Sequence, residues 1–291
     1  MPSMRDIKRR RESIQSTEQI TKAMMLVATV KLQKARQKAE ASRPYTNALY
    51  RTIGEILRRT DETAHKYLRH PAEGKKAVIL ITGNRGLAGG YNMNTVRLVL
   101  DGPFDRENTV IYTIGRKGQE MLRARGYECA DDWSEVVNAP LYKDAIAISG
   151  KILDRFEAGE ISEIWLAYTE FKNTVVHVPK CIRLIPVAPE DEHMASAVEG
   201  EKPDDMLPMN YEPSDEEVLN QLIPQYMASV LYGGLLQAVA SENGARMTAM
   251  DNATDNAEEM IQKLGLQYNR ARQGSITQEL TEIIAGRNAV T

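Results

Sequence analysis

The sequence has little cysteine. Only Cys129 and Cys181 occur among 291 residues, and they stand far apart with no CxxC pair or Cys/His cluster around them. A disulfide framework and a zinc site are therefore not expected, and this cysteine usage fits a reducing compartment.

Residues arranged for catalysis are also lacking. The four histidines show no metal-ligand spacing, and no Ser/His/Asp or Cys/His arrangement is visible in the sequence. His65 and His70 stand in a polar segment, where we expect solvated side chains. The spacing of these residues therefore indicates no metal site, and it marks no catalytic residue and no residue that binds a cofactor, although the members of a catalytic triad can be scattered in sequence.

Long apolar runs are absent too. No segment approaches the ~18 apolar residues that a membrane span needs, and the charged first residues are not followed by the apolar stretch of a secretory signal. We expect any membrane contact to be indirect. Aromatic residues make up only 6 %, with three Phe, which favours helices packed through Ala, Met and Leu.

Charge is unevenly distributed along the chain. The net charge is −3, but residues 1–60 carry +9 and the remaining residues carry −12. A basic arm on an acidic body indicates an acidic partner surface, a nucleic acid or an anionic membrane; a solvated helix face would give the same pattern.

The first 60 residues repeat apolar or small residues every seven positions, which predicts a helix from Ser3 to Arg59 buried along a narrow seam. We expect Ser3 to cap it and Pro44 to kink it. Two rows of residues with this heptad spacing occur. The first contains Ile7, Ile14, Thr21, Ala28, Ala35, Ser42, Leu49 and Ile56, and the second contains Met25, Leu32, Ala39, Thr46 and Ile53.

The other end of the chain, residues 214–291, has the same helical periodicity. Ser214 and Glu217 fit a capping box at its start. Two long terminal helices can pair as an antiparallel coiled coil. An acidic, proline-rich linker at residues 191–213 precedes the second helix.

Residues 75–190 predict a Rossmann-like α/β domain, because short buried strands alternate with helices. The expected strands are residues 77–82, 109–114 and 163–169, and the expected helices are 92–100, 116–125 and 141–156. Residues 174–187 read as a strand broken by Pro179.

A glycine-rich turn at residues 83–92 follows the first strand and precedes a helix, as a phosphate-binding loop does. It lacks the Gly-Lys-Ser/Thr of a P-loop and the GxGxxG spacing of a dinucleotide site. The incomplete match favours a structural turn over a nucleotide site.

Several segments resemble the gamma subunit of F-type ATP synthases. They are ITKAM at 20–24, ASRPY at 41–45, NRGLAGGYN at 84–92, the residues 245–257, and YNRARQGSITQELTEIIAG at 268–286. These segments follow the family's order from one end of the chain to the other. Arg287 departs from the small residues that the family usually has after the last glycine.

The resemblance implies a noncatalytic central rotor. It implies an antiparallel coiled coil of the terminal helices inside a ring of alpha and beta subunits, and an α/β domain resting on the epsilon subunit and the membrane rotor ring. The implied location is the cytoplasmic side of the cell membrane, as a peripheral subunit. Residues matching positions that face the catalytic-subunit loops are Lys22, Met24, Arg246, Arg272, Gln273, Thr277 and Glu279. We further expect the tip of the last helix, with Ile283, Gly286 and Val290, to serve as a bearing.

Two other functions remain open at this stage. A nucleic-acid-binding protein with a basic coiled-coil arm would show salt-dependent binding to RNA or DNA. A nucleotide-dependent enzyme using the glycine turn would bind ATP or NAD tightly. Neither explains two matched long terminal helices.

Overall fold

The computed structural model describes residues 3–57, 65–69, 74–187 and 214–290. The chain divides into two compact units. We call residues 1–29 with 246–291 the terminal unit, and residues 30–245 the body.

Two long helices begin and end the described chain. Helix α1 is Met4–Leu57, and the last helix, α5, is Asp215–Val290. At the start of α1 the Asp6 N–H donates to Ser3 Oγ at 3.2 Å, and at the start of α5 the Glu217 N–H donates to Ser214 Oγ at 3.3 Å. Both predicted caps are therefore confirmed, since each serine satisfies a backbone donor that has no partner within the helix.

The two helices pair through the predicted heptad positions. In the terminal unit, one row of buried or half-buried residues of α5 has the alternating spacing of three and four, at Met247, Met250, Thr254, Ala257, Ile261, Leu264 and Tyr268. Thr21 contacts Thr254 there, and in the body Tyr50 of α1 contacts Tyr226 of α5. The contact moves back along α5 as it moves forward along α1, so the coiled coil is antiparallel.

A five-stranded mixed sheet forms the centre of the body. Its strands are β1 Lys75–Ile81, β2 Thr109–Ile114, β3 Glu128–Asp132, β4 Ile161–Phe171 and β5 His177–Ile185, in the order β3-β2-β1-β4-β5. The pairs from β3 to β4 are parallel, and β5 runs antiparallel to β4. The order reverses at β1, as in doubly wound folds.

Helices cover both faces of the sheet, as alternation along the chain predicts. They are α2 Tyr91–Leu100, α3 Arg116–Arg123 and α4 Tyr142–Glu157, with a short 3₁₀ helix at Val136–Asn138. The larger core joins β1, β2 and β4 to α4, the end of α1 and the first part of α5. A smaller core lies on the other face, under α2 and α3. In the body the sheet therefore packs against α4 and the two long helices on one face and against α2 and α3 on the other.

The structure corrects two expectations. Pro179 does not break a strand: β5 runs through it, with Pro179 opposite Thr169. Because β5 is an edge strand, the missing N–H leaves no ladder hydrogen bond unmade. His65 is not solvated; it is 2 % exposed, and its Nδ1 accepts the Tyr67 N–H at 3.3 Å. Its segment, residues 65–69, packs Tyr67 and Leu68 into the larger core. His70 and the linker at 191–213 lie outside the described residues.

Candidate functional site

All residues that the sequence assigns to partner contacts fall in the terminal unit. They occupy two stretches, one on α1 at Lys22 and Met24, and one on α5 from Arg246 to the end of the helix. Lys22 is exposed and Met24 is half-buried beside the seam. The fold thus places both stretches on helices of one compact unit, although they are more than 200 residues apart in sequence.

The four predicted residues between 272 and 279 are all exposed. Arg272 and Glu279 lie seven apart and share one helix face, while Gln273 and Thr277 lie four apart on another. The Thr277 hydroxyl donates its proton to the Gln273 carbonyl at 2.9 Å, so toward a partner it can act as an acceptor. This surface offers a cation, an anion and neutral polar groups to a partner.

The end of α5 is exposed and apolar. From Ile276 onward, every residue whose exposure is described is exposed. Large apolar side chains recur there at helical spacing: Ile276, Leu280, Ile283 and Ile284, with Ile283 68 % exposed. Gly286 and Val290 lie in the same helix, but their side-chain environment is outside what the structure describes. An apolar stripe on an uncovered helix is typical of a partner-binding surface.

The sequence assigned Ile283 to a bearing tip, but its periodicity did not separate the rest of the stripe from the coiled-coil seam. The stripe continues the apolar spacing of the seam, and only the loss of burial after Ser275 distinguishes the two. Ile20, Leu26 and Val27 on α1 were missed for a different reason: they belong to neither heptad row, and each is more than half exposed. Periodicity shows which residues share a face but not where the partner helix ends.

The glycine turn at residues 83–90 sits at the carboxyl end of β1, the position where doubly wound folds bind ligands. Here the position is filled by α5. The Glu242 carboxylate lies so close that a Cβ on Gly83 would be 2.6 Å from Glu242 Oε1. The Gly83 N–H, which would face a phosphate, donates instead to Asn92 Oδ1 at 2.8 Å. A buried carboxylate beside the turn repels a phosphate, so the arrangement does not support a nucleotide site.

Burial or a neighbouring group shifts the pKa of several side chains in the body. Burial lowers the pKa of His65 and of His177, which favours neutral imidazoles. The hydrogen bond from the Tyr67 hydroxyl is the main cause that lowers the pKa of Glu157, and an ion pair with Lys66 adds to it.

Among the described residues no group of His, Cys, Asp and Glu side chains has metal-binding geometry. Within the same residues no helix is both long and apolar enough to cross a bilayer.

A sequence model of the family described as ATP synthase matches residues 3–290. The chain is 59 % identical to the ATP synthase gamma chain of Lachnoclostridium phytofermentans, and the alignment covers 100 % of both. It is 43 % identical to the ATP synthase gamma chain of Alkaliphilus metalliredigens, covering 99 % of this chain and 98 % of the relative. It is 40 % identical to the protein named "ATP synthase gamma chain, sodium ion specific" from Acetobacterium woodii, covering 99 % of each.

Solved structures agree on the fold. A chain from the central stalk and c-ring of the Tetrahymena thermophila mitochondrial ATP synthase is similar with a TM-score of 0.58 and 25 % identity, covering 80 % of this chain and 99 % of that one. A chain of the Euglena gracilis mitochondrial ATP synthase has a TM-score of 0.64 and 19 % identity, covering 99 % and 94 %.

Proposed function

The chain belongs to the gamma-chain family of the F-type ATP synthases, and from that premise we propose which of its surfaces meet the other subunits. As a family member it is the noncatalytic central-stalk rotor subunit, which couples ion flow through the membrane ring to ATP synthesis and hydrolysis in the catalytic subunits. No observation favours the nucleic-acid-binding alternative, and the glycine turn does not support the nucleotide-dependent enzyme.

The terminal unit is our candidate for contact with the alpha and beta subunits. The observation that carries this proposal is the exposed end of α5, which presents charged, polar and apolar groups with no helix of the described chain covering them. Contacts here would differ from one surrounding subunit to the next, because α1 and α5 present different side chains at each angle. Such differential contact is how an element without catalytic groups biases the conformations of its partners.

The partner-contact residues are Lys22, Met24, Arg246, Arg272, Gln273, Thr277 and Glu279, as the resemblance assigns them. In this proposal the side chains of Arg272 and Glu279 form charge-assisted hydrogen bonds with loops of the catalytic subunits. Met24, with its flexible thioether, repacks against a sliding surface. The residues Ile283, Gly286 and Val290 form the bearing, where an apolar surface gives no directional bond at any single angle.

The body is our candidate for contact with the epsilon subunit and the membrane rotor ring, on the cytoplasmic side of the cell membrane. The division into residues 1–60, 75–190, 191–213 and 214–291 is part of the same proposal. In it, the central segment makes the attachment and the terminal segments enter the catalytic ring.

Neutralising a contact residue in the assembled complex tests the catalytic-subunit interface. Glu279→Gln should lower the ATP hydrolysis rate about tenfold, which corresponds to one lost charge-assisted hydrogen bond. Glu258→Gln is the matched control, because Glu258 is also exposed on α5 in the terminal unit but is not assigned to an interface. Equal rates for the two variants would contradict the assignment of Glu279.

The bearing has its own test. Ile283→Arg places a long charged side chain on the tip, and it should slow ATP-driven rotation of a bead without preventing assembly. Gln267→Arg, at an exposed position earlier in α5, is the control. Unchanged rotation in Ile283→Arg would refute the bearing role of this residue.

A further inference from the structure

Strand β4 continues past the end of its neighbour β1. The two strands pair from Lys75 opposite Ile161 to Leu80 opposite Ala167, whereas β4 goes on to Phe171. Residues 168–171 therefore have β5 on one side and, within the described part of the chain, no strand on the other. The backbone groups on that open side need hydrogen-bond partners, because buried N–H and C=O groups are rarely left unpaired.

The register with β5 shows which groups face the open side. Thr169 lies opposite Pro179, which has no N–H, so the two cannot exchange both bonds of a hydrogen-bonded pair, and the Thr169 carbonyl accepts from α5 instead. Phe171 and His177, two positions along, form a pair of the same kind. The backbone groups of Thr169 and Phe171 therefore point away from β5, toward the space beyond β1.

Two side chains of α5 occupy that space. The Ser241 hydroxyl donates to the Thr169 carbonyl at 3.1 Å, and the Phe171 N–H donates to Gln237 Oε1 at 3.1 Å. Gln237 and Ser241 lie four residues apart on one helix face. The helix thus replaces the missing strand, with one acceptor and one donor in the positions that a continued β1 would supply.

Two glycines let α5 come close enough for these bonds. A Cβ on Gly234 would lie 3.1 Å from Leu166 Cδ2, and a Cβ on Gly244 would lie 2.7 Å from His177 Cε1. Gly234 and Gly244 continue the spacing of three and four on either side of Gln237 and Ser241. If the helix rolled about its axis, both hydrogen bonds would break and larger side chains would meet the sheet.

We propose that Gln237 and Ser241 are positioning residues that lock α5 against rolling on the sheet, and so transmit torque between the body and the end of α5. The inference rests on the proposed function, in which α5 turns inside a catalytic ring. The same helix continues unbroken from this anchor to Arg246 and the exposed tip. An anchor on the sheet backbone suits the task because a helix held only by apolar packing has no directional bond that resists rolling.

The test measures torsional stiffness in the assembled complex. The catalytic ring is fixed to glass, a bead is attached at the exposed loop residue Glu107, and angular fluctuations are recorded without nucleotide. The double variant is Gln237→Met with Ser241→Ala. Each lost hydrogen bond should raise the population of molecules in which α5 has rolled on the sheet about fivefold. The variance of the bead angle should then rise about twofold or more over the wild type.

Two matched variants separate this role from general loosening. Gln237→Glu keeps an oxygen acceptor for the Phe171 N–H and should retain the wild-type variance. Gln221→Met makes the same change as Gln237→Met at an exposed position of α5, and it should also be unaffected.

The proposal is overturned if the double variant fluctuates like the wild type, or if Gln237→Glu is as loose as the double variant. If the double variant does not assemble, Ser241→Ala alone is decisive: an increased variance supports the proposal and a wild-type variance refutes it. Failure of the proposed function would look different, because the wild-type bead would then not rotate with ATP at all.

Discussion

Replacing Thr21 and Thr254 with valine, singly and together, tests how the coiled-coil seam is held in register. The two hydroxyls are 2.7 Å apart and buried between α1 and α5 in the terminal unit. Each also has a carbonyl of its own helix within reach, Glu18 O at 3.0 Å for Thr21 and Met250 O at 2.9 Å for Thr254. Valine has the shape of threonine without the hydroxyl.

The expected energies follow from counting protons. Two hydroxyl protons are shared among three contacts. Because the hydroxyl oxygens are only 2.7 Å apart, one proton lies between the helices, which leaves one for a helix carbonyl. After either single substitution the remaining hydroxyl still donates to its own helix. A single variant should therefore lose about 1 kcal/mol of unfolding free energy, the net value of one hydrogen bond, and not the larger penalty of an orphaned polar group.

The double variant loses the same interhelical bond only once. Its unfolding free energy should fall by no more than that of a single variant, because replacing both partners with apolar groups of equal shape is nearly neutral. The coupling energy between the two positions should then be about 1 kcal/mol.

Urea unfolding of the full chain, followed by the circular dichroism of its helices, measures these changes. Thr17→Val is the control on α1, since the exposed Thr17 hydroxyl bonds to the Ser13 carbonyl of its own helix and makes no bond to α5 among the described residues. Strictly additive single effects would refute the shared interhelical bond. A loss of about 3 kcal/mol in either single variant would refute the claim that the remaining hydroxyl stays satisfied.

Three further results are expected. Gly83→Ala should lower the free energy of unfolding by about 1–3 kcal/mol and so lower the thermal midpoint, because its Cβ would press on Glu242. Gly86→Ala is the control: its Cβ would meet nothing within 4 Å, so the thermal midpoint should change little. Burial lowers the pKa of His65 in the folded chain, so the stability that the neutral imidazole contributes is fully present above its ordinary pKa of about 6.5 and is lost as the pH falls below that value. His65→Gln should therefore make the free energy of unfolding depend less on pH below about 6.5. An unchanged pH dependence in this variant would contradict the argument. Burial raises the pKa of Cys181 to about 12, so a thiol reagent at pH 8 should leave Cys181 unmodified in the folded chain and react with it in urea, which mass spectrometry of the tryptic peptides would show.

Regular elements with strong local patterns were predictable from the sequence. The heptad rows of α1, the buried run of β1 and the capping serines each depend on neighbours in sequence, and each is confirmed. Strand β3 was not predicted. Its segment, Glu128–Asp132, is polar with alternating exposure, so it has no apolar run to mark it and is a strand only because β2 offers an edge.

Burial of polar residues was the least predictable property. His65 stands in a polar segment, yet it is buried because Tyr67 and Leu68 beside it are drawn into the core. The glycine turn was ambiguous for a similar reason. Its sequence is compatible with a phosphate site, and only the approach of Glu242, more than 150 residues later, shows what fills the space.

The occupied crevice at the carboxyl end of β1 connects fold to function. In a doubly wound enzyme that crevice holds the ligand. Here α5 fills it with Glu242 against the glycine turn, Ser241 on the β4 backbone and Gly244 against β5. A crevice filled by the chain's own helix cannot exchange its occupant, so the site that elsewhere serves binding here joins a sheet to a long helix. A rotor subunit needs such a joint, because torque that reaches the sheet is useful only if the helix turns with it.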